Sequence, residues 1–136
     1  MYKFLVVFAL GTAVLIQGCP RITGRSSWRA RSPKRIVPMT GAAQYVVIHH
    51  TEGAQCHSEN ACARELRNIQ SYHMSWEKNF TDIGYNFLID HNGNVYEGRG
   101  WGISGEHAPR YNRRSVGISI IGNYQSNSNE YLVWIR

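Results

Sequence analysis

The stretch Tyr45–Thr51, YVVIHHT, passes from an aromatic and three β-branched residues directly to two histidines and a threonine. This composition predicts a buried β-strand over residues 44–48, with both histidines at its end. Successive residues of a strand point to opposite faces of a sheet, so His49 and His50 cannot serve the same purpose. We expect one of them to face a metal or the core and the other to face a groove.

A helix is predicted to follow, from a cap at Ser58 to about Trp76. Apolar and aromatic residues recur there at steps of three and four, the period of one helical face. That face consists of Cys62, Leu66, Ile69, His73 and Trp76. A bridge between Cys56 and Cys62 would join the preceding loop to the first turn of this helix.

A hairpin and a last strand complete the predicted sheet. An Asn-Gly pair at 92–93 is a strong hairpin signal and separates two strands, predicted over 84–90 and 95–97. The glycine-rich segment 98–105 fits neither period and is predicted to be a surface loop, of the kind that often holds ligands. Residues 115–121, SVGISII, read as another buried strand. Together these elements indicate an α/β fold with a mixed central sheet flanked by helices.

The first 18 residues, MYKFLVVFALGTAVLIQG, place one lysine before an apolar run and end in small and polar residues. This layout predicts a signal peptide over residues 1–18, and therefore a secreted, extracellular protein. A membrane anchor is an alternative. However, the run from Phe4 to Ile16 is short for a span of about 20 residues, so no stable membrane insertion is expected. A bacterial lipoprotein signal ending at Cys19 is a minor alternative.

The chain has 136 residues, enough for one compact domain, and a formal net charge of +6. Its basic residues are concentrated between Arg21 and Arg35, around Trp28. A nucleic-acid patch is one interpretation of this cluster. In a secreted chain we favour a solvated N-terminal arm that assists binding to anionic bacterial surfaces, and we expect no nucleic acid as a partner.

The three cysteines suit an oxidising compartment, where disulfides are favoured over free thiols. Cys56 and Cys62 are close enough in sequence to pair across a short loop, which leaves Cys19 without a partner. Asn79, Phe80 and Thr81 form a glycosylation sequon, although such triplets also arise by chance.

Histidines and a tyrosine are the candidates for chemistry. His49 is a possible zinc ligand, because neutral imidazole binds zinc, and a catalytic zinc needs about three protein ligands and one open position. Tyr85, at the start of a predicted strand, could donate a hydrogen bond to an oxyanion near a metal, or could simply pack. His73 is by default a core histidine satisfied by one hydrogen bond. His107, in a loop near Trp101, is more typical of a groove wall.

Six ordered motifs carry a resemblance to a known family. They are YVVIHHT, C-x5-C, RNIQSYHM, DIGYNFLI, VYEGRGW and SVGISIIGNY, and they span residues 19–124. As a set they resemble the peptidoglycan recognition proteins, which share their fold with zinc-dependent N-acetylmuramoyl-L-alanine amidases. The resemblance implies that fold, with peptidoglycan as the partner and zinc as the cofactor.

The resemblance also implies roles for individual residues. It makes His49 a zinc ligand and Tyr85 the residue that assists catalysis. The predicted substrate-binding residues would hold the muramyl sugar and the stem peptide. They are His50, Thr51, His73, Asn79, Phe80, Tyr85, Arg99, Trp101, His107 and Asn112.

Two positions give opposite indications about the stem peptide. The pair Asn79-Phe80 resembles family members that favour a lysine-type third residue, whereas Arg99 resembles those that clamp the carboxylate of diaminopimelate. Arginine suits a bidentate carboxylate clamp, so we give Arg99 slightly more weight. A glycosylated Asn79 would be a poor groove residue, so only one of these two roles for Asn79 can hold.

The resemblance breaks down at the C-terminal end. The family's remaining zinc ligands, a histidine and a cysteine or similar residue, follow another helix, but no histidine occurs after His107 and no cysteine after Cys62. We therefore expect a C-terminally truncated domain over 19–124 without its last helix and strand, a divergent tail over 125–136 and an incomplete zinc site.

This combination predicts a secreted innate-immune, antibacterial protein that binds the muramyl stem peptide of peptidoglycan. An active zinc amidase that cuts between muramic acid and L-alanine is the alternative. An unstable or regulatory product without binding is a third hypothesis, because a lost element would expose apolar surface and a strand edge. Oligomeric state and signalling partners do not follow from the sequence.

Overall fold

The computed structural model describes residues 19–125, so the predicted signal peptide and residues 126–136 of the predicted tail lie outside the described residues. Five strands and one helix form between these limits. They are β1 (Ile22–Thr23), β2 (Tyr45–His50), α1 (Glu59–His73), β3 (Phe87–Ile89), β4 (Val95–Glu97) and β5 (Ser115–Ile120).

The strands form one mixed sheet in the order β1-β4-β3-β5-β2. Only β3 and β4 are antiparallel among the described strands, and the other three pairings are parallel. The predicted mixed α/β fold is therefore confirmed. In the β2–β5 register, His49 is paired with Ser119 and His50 with Ile120, so the two histidines lie on opposite faces.

Helix α1 covers one face of this sheet. The Ser58 side chain caps its first turn by accepting the Ala61 N–H at 3.3 Å, as predicted. Cys62, Leu66 and Ile69 are buried against the sheet in one apolar cluster. The helix ends at His73, earlier than predicted, because Met74 leaves the helical conformation. The prediction that Trp76 belongs to the buried face is wrong, since its side chain is 88% exposed.

The basic segment near the N-terminus matches the predicted solvated arm only in part, because its basic side chains other than Arg25 are exposed whereas its tryptophan is anchored in the core. The Trp28 side chain is fully buried, and its Nε1–H donates to the Glu97 carbonyl at 2.9 Å. Arg25 forms an ion pair of 2.9 Å with Asp82. One charge of the segment is thus held by an ion pair, and burial of the large indole brings this part of the chain into the core.

A buried glutamine joins this segment to the helix. The Gln70 amide accepts the Arg31 N–H, and it donates to the Arg31 carbonyl at 2.9 Å and to Asp82 Oδ1 at 2.6 Å. Every polar atom of its side chain therefore has a partner. We call Arg25, Trp28, Arg31, Gln70 and Asp82 the N-terminal anchor.

The hairpin forms around the Asn-Gly turn as predicted, although β3 is shorter than the predicted strand and begins two residues after Tyr85. Gly93 has a φ of +85°, which favours glycine. Burial raises the pKa of the Asp90 carboxyl. Hydrogen bonds from Asn94, Tyr96 and Asn92 have the larger combined effect and hold that pKa below its usual value.

The glycine-rich segment 98–105 is largely buried, so its prediction as a surface loop is wrong. The Asn86 side chain fixes it, donating to the carbonyls of Gly100 at 2.9 Å and Ile103 at 2.8 Å. The Asn86 Oδ1 accepts the Gly117 N–H of β5 at 2.9 Å. The segment was predicted to lie on the surface because it has no helix or strand period. The hydrogen bonds of the Asn86 side chain instead satisfy its backbone in the interior.

The predicted Cys56–Cys62 disulfide is present, with the two Cα atoms 5.0 Å apart. Cys19 is exposed and has no disulfide partner within residues 19–125. No helix in this described part of the chain is both long enough and apolar enough to cross a membrane.

Candidate functional site

Five aromatic rings from four separate segments lie in a continuous row. The ring centroids are 5.0 Å apart between His107 and His49, and 5.5 Å apart between His49 and Tyr85. The row continues from Tyr85 to His73 at 5.4 Å and from His73 to Phe80 at 5.1 Å. We call these five residues the ring row. All five are predicted site residues, and the fold brings them together from β2, the end of α1 and two loops, one of which contains both Phe80 and Tyr85.

The first pair of the row is joined directly. His49 Nε2 and His107 Nδ1 are 3.0 Å apart, so one imidazole donates a hydrogen bond to the other. His107 Nε2 is buried and lacks a hydrogen-bond partner within the described residues. Burial, with smaller effects from His49 and Arg99, lowers the pKa of His107 to about 3. His107 is therefore neutral at physiological pH.

Two glycines make room for His107. A Cβ atom on Gly117 would lie 2.4 Å from His107 Cδ2, and one on Gly105 would lie 2.2 Å from the same atom. Real side chains do not approach that closely, so an alanine at either position would displace the imidazole. Gly117 in β5 therefore serves packing, because the absence of a side chain lets the His107 imidazole lie close to the strand backbone.

His73 connects the other end of the row to the backbone. Its Nδ1 accepts the Gly84 N–H at 2.9 Å, which requires the neutral ring. Burial, followed by the charges of Lys78 and Arg99, lowers the pKa of His73 to about 4, while Glu106 and Asp82 act in the opposite direction. His73 is the buried histidine with one hydrogen bond that the sequence predicts, and it also lies between Tyr85 and Phe80.

Arg99 lies behind this row and is enclosed by protein. Its Nε donates to the Ile83 carbonyl at 2.6 Å, and one terminal nitrogen donates to the Ser104 carbonyl at 3.0 Å. The other terminal nitrogen is paired with Glu106. The Arg99 side chain is only 2% exposed, so its predicted role as a carboxylate clamp would require these contacts to open.

Asn112 holds the loop that contains His107. Its side-chain oxygen accepts the N–H groups of His107 at 2.9 Å and Ala108 at 2.8 Å. This geometry makes Asn112 a positioning residue for the first ring of the row. Direct contact with substrate stays a prediction.

The remaining predicted site residues lie outside the row. His50 Nδ1 accepts the Tyr124 N–H at 3.1 Å on the opposite face of β2 from His49. Thr51 accepts the Gly122 N–H at 3.0 Å. Trp101 is 68% exposed and packs on Phe87, with centroids 4.5 Å apart. Asn79 is exposed. Their substrate contacts also stay predictions.

The described residues do not fit a catalytic zinc site. Within residues 19–125 no three His, Cys, Asp or Glu side chains are grouped so as to hold a metal ion. His49 Nε2 and His107 Nδ1 are directed at each other, whereas two ligands of one ion would be directed at a common point. A role for His49 as a zinc ligand therefore needs further ligands and a rearranged His107.

Sequence reasoning missed Glu106, Asn86 and Gly117. Gly117 carried a usable signal, because a glycine inside a strand pattern often marks a close approach. Glu106 and Asn86 carried none, since their partners are distant in sequence and no local period relates them to the site.

Known proteins are similar to this chain in sequence and in fold. A family model for N-acetylmuramoyl-L-alanine amidase matches residues 39–132. Peptidoglycan-recognition protein SC2 of Drosophila simulans is 48% identical over 107 residues, 79% of this chain and 58% of that protein. Peptidoglycan-recognition protein 2 of Holotrichia diomphalia is 41% identical over 129 residues, 93% of this chain and 68% of that protein. Wild-type Drosophila PGRP-LB superposes with a TM-score of 0.72 at 44% identity, covering 76% of this chain and 61% of that structure.

The mixed sheet of this chain, with histidine and tyrosine side chains near one end, therefore has the fold of the N-acetylmuramoyl-L-alanine amidases. The chain belongs to the N-acetylmuramoyl-L-alanine amidase family and, within it, to the peptidoglycan recognition proteins. It spans 58% of the length of the SC2 relative and 68% of the Holotrichia relative. The family resemblance predicted from the motifs is confirmed.

Proposed function

We propose that this chain is a secreted innate-immune protein that binds the muramyl stem peptide of bacterial peptidoglycan. The ring row is the observation that carries the proposal. Its five rings offer apolar faces for the sugar and peptide backbone, while imidazole nitrogens and the Tyr85 hydroxyl supply a few placed polar groups. Such a mixture is typical of sites for small polar ligands.

Two solved relatives support the choice of ligand. Human PGRP-IBETAC, 39% identical to this chain, has been solved in complex with a glycosamyl muramyl pentapeptide. Peptidoglycan recognition protein-LE, 40% identical, has been solved with tracheal cytotoxin, a monomeric diaminopimelic acid-type peptidoglycan. We extend this ligand class to the present chain because three members of its ring row, His49, His73 and Tyr85, lie within the family motifs.

The chain's own groups suggest how the ligand would be held. Neutral His73 keeps its Nδ1 for the Gly84 N–H, which leaves the Nε2–H as a donor. Phe80 presents an aromatic face beside it for the stem peptide. The predicted signal peptide and the Cys56–Cys62 disulfide both suit the extracellular setting in which such a ligand is met.

A sedimentation assay on insoluble peptidoglycan tests this function. We expect the mature chain to co-sediment and a soluble muramyl pentapeptide to compete. The double variant Phe80→Ala, His107→Ala should bind at least tenfold more weakly, since it removes both ends of the ring row. His57→Ala is the matched control, because that exposed histidine pairs with His91 outside the row. Equal recovery of wild type and double variant would contradict the proposal.

Zinc-dependent amidase activity is the second candidate. It is favoured by the family model and by the position of Tyr85 beside His49. A zinc assay on the purified chain, with a His49→Ala control, separates it from binding alone. About one zinc per chain, lost in the control, together with chelator-sensitive release of stem peptides, would establish the enzyme. Absence of zinc in both proteins would leave binding as the activity.

A further inference from the structure

We propose that Glu106 selects the stem peptide, favouring a third residue that ends in an ammonium group, as lysine does, over one that adds a side-chain carboxylate, as diaminopimelate does. This proposal rests on the proposed function, because it concerns the same binding site. It assigns a specificity role to a residue outside the predicted site, and it reverses the slight preference for diaminopimelate that Arg99 suggests from sequence.

The first step concerns the availability of Arg99. All three guanidinium nitrogens have protein acceptors, which are the Ile83 carbonyl, the Ser104 carbonyl and the Glu106 carboxylate. Since the side chain is 2% exposed, a ligand carboxylate would have to displace Glu106 to reach it. A buried ion pair resists such opening, because separation leaves an uncompensated charge in the interior.

The second step concerns which partner of the pair a ligand meets. The Glu106 side chain is 27% exposed, more than ten times the exposed fraction of Arg99. Its Oε2 accepts from Arg99 and from the Thr81 N–H at 2.7 Å. Within residues 19–125, its Oε1 accepts only the Thr81 hydroxyl, at 2.9 Å. A carboxylate oxygen has two lone pairs, so Oε1 can accept one more hydrogen bond.

The third step places this carboxylate at the ring row. Thr81, which holds Glu106, follows Phe80 directly, and Glu106 precedes His107. The Glu106 N–H donates to the Gly84 carbonyl at 2.9 Å, and the Gly84 N–H in turn donates to His73. The Glu106 charge also raises the pKa of His73 against the larger lowering effects. The partly exposed Glu106 side chain is therefore held next to the Phe80 end of the row.

The electrostatic consequence follows from these three steps. The positive charge of the pair is covered by protein, while the negative charge has the solvent-facing position. An approaching ammonium group gains a charge-assisted hydrogen bond at Oε1. Diaminopimelate carries the same ammonium group, but its added carboxylate meets a like charge, which is unfavourable and selects against that ligand.

Isothermal titration of two matched muramyl tripeptides tests the proposal, one ending in L-lysine and the other in meso-diaminopimelate. For the wild type we expect at least fivefold tighter binding of the lysine peptide. Glu106→Gln keeps the size of the side chain, but it releases the Arg99 charge and should shift the ratio of the two Kd values at least tenfold toward diaminopimelate. A wild type without preference or with the opposite preference, or an unchanged ratio in the variant, would overturn the proposal.

A second variant guards against misfolding, because Glu106→Gln leaves Arg99 without its counter-charge. The double variant Arg99→Met, Glu106→Gln removes both charges, and we expect it to fold and to bind the two peptides within about twofold of each other. A retained lysine preference in this folded double variant would also overturn the proposal. Failure of the proposed function is distinguishable, since the wild type would then bind neither tripeptide and would not sediment with insoluble peptidoglycan.

Discussion

Two buried polar regions of this domain are built on different principles. In the N-terminal anchor, the side chains of Gln70 and Asp82 have direct hydrogen-bond or ion-pair partners, and Trp28 fills the core beside them. In the ring row, His107 has a buried nitrogen without a partner in the described residues. Polar groups of the anchor therefore support folding, whereas we propose that those of the ring row serve a ligand.

The largest expected effect concerns the anchor. Trp28→Ala should lower the free energy of unfolding by about 3 to 5 kcal/mol, because it removes a fully buried indole and leaves a cavity. Urea denaturation of the purified variants measures this change. Trp76→Ala is the control, expected within about 0.5 kcal/mol of wild type, since that side chain is 88% exposed. Similar values for both tryptophans would contradict the assignment of Trp28 to the core.

A glycine tests whether the ring row depends on close packing. Gly117→Ala should cost about 1 to 3 kcal/mol of stability, because the added methyl group displaces His107. The same variant should bind peptidoglycan less well than its stability loss explains. Gly93→Ala at the hairpin turn is the comparison. The alanine Cβ would meet no atom within 4 Å there, although the φ of +85° would strain the alanine backbone. If Gly93→Ala weakens binding as much, displacement of His107 is not the cause.

Protonation of His73 should make stability depend on pH. The pKa of His73 is lowered to about 4 in the folded chain, below its unfolded value of 6.5, so folding favours the neutral ring. Its contribution is complete above pH 6.5 and is lost as the pH falls toward 4. Between pH 7 and pH 5 we expect the free energy of unfolding to fall by about 1 to 2 kcal/mol from this group.

Denaturation curves of wild type and His73→Gln at both pH values isolate that contribution, because the other histidines are common to both proteins. The decline should be smaller in the variant. Parallel declines would show that His73 is not the titrating group.

The smallest effect is expected at the helix cap. Ser58→Ala should cost about 1 kcal/mol, since it removes the acceptor of the Ala61 N–H. Thermal unfolding measures the shift, and binding to peptidoglycan should be unchanged because Ser58 is not part of the ring row. A loss of binding without a loss of stability would show that the loop before the helix is coupled to the site.

Local pattern predicted much of the fold. The β-branched run gave β2, the Asn-Gly pair gave the hairpin, and the serine cap gave the start of α1. Pattern failed where distant partners decide the outcome. Trp28 is buried because Glu97 and the core accept it, and the segment 98–105 is buried because Asn86 satisfies its backbone. Neither set of contacts produces a periodic pattern in the local sequence from which it could be predicted.

The candidate site was predictable only in part. The ordered motifs contain His49, His73 and Tyr85 and resemble a known family, and the fold then explains why these residues meet. The Arg99–Glu106 pair was not predictable, because the two residues come from different turns of a loop whose course depends on tertiary contacts. The resemblance and the bidentate geometry of arginine suggested a carboxylate clamp, but in the fold Arg99 is buried and paired with Glu106.

The three hydrogen bonds of the Asn86 side chain have a consequence for protein engineering. They link the segment 98–105 to β5, and β5 carries the glycine over which His107 lies. A designer who exchanges this segment for that of a relative, in order to change ligand preference, is also choosing the position of the His107 imidazole. Libraries that vary residues 101–102 while keeping Asn86, Gly100 and Ile103 should therefore retain far more binders than libraries that replace the whole segment.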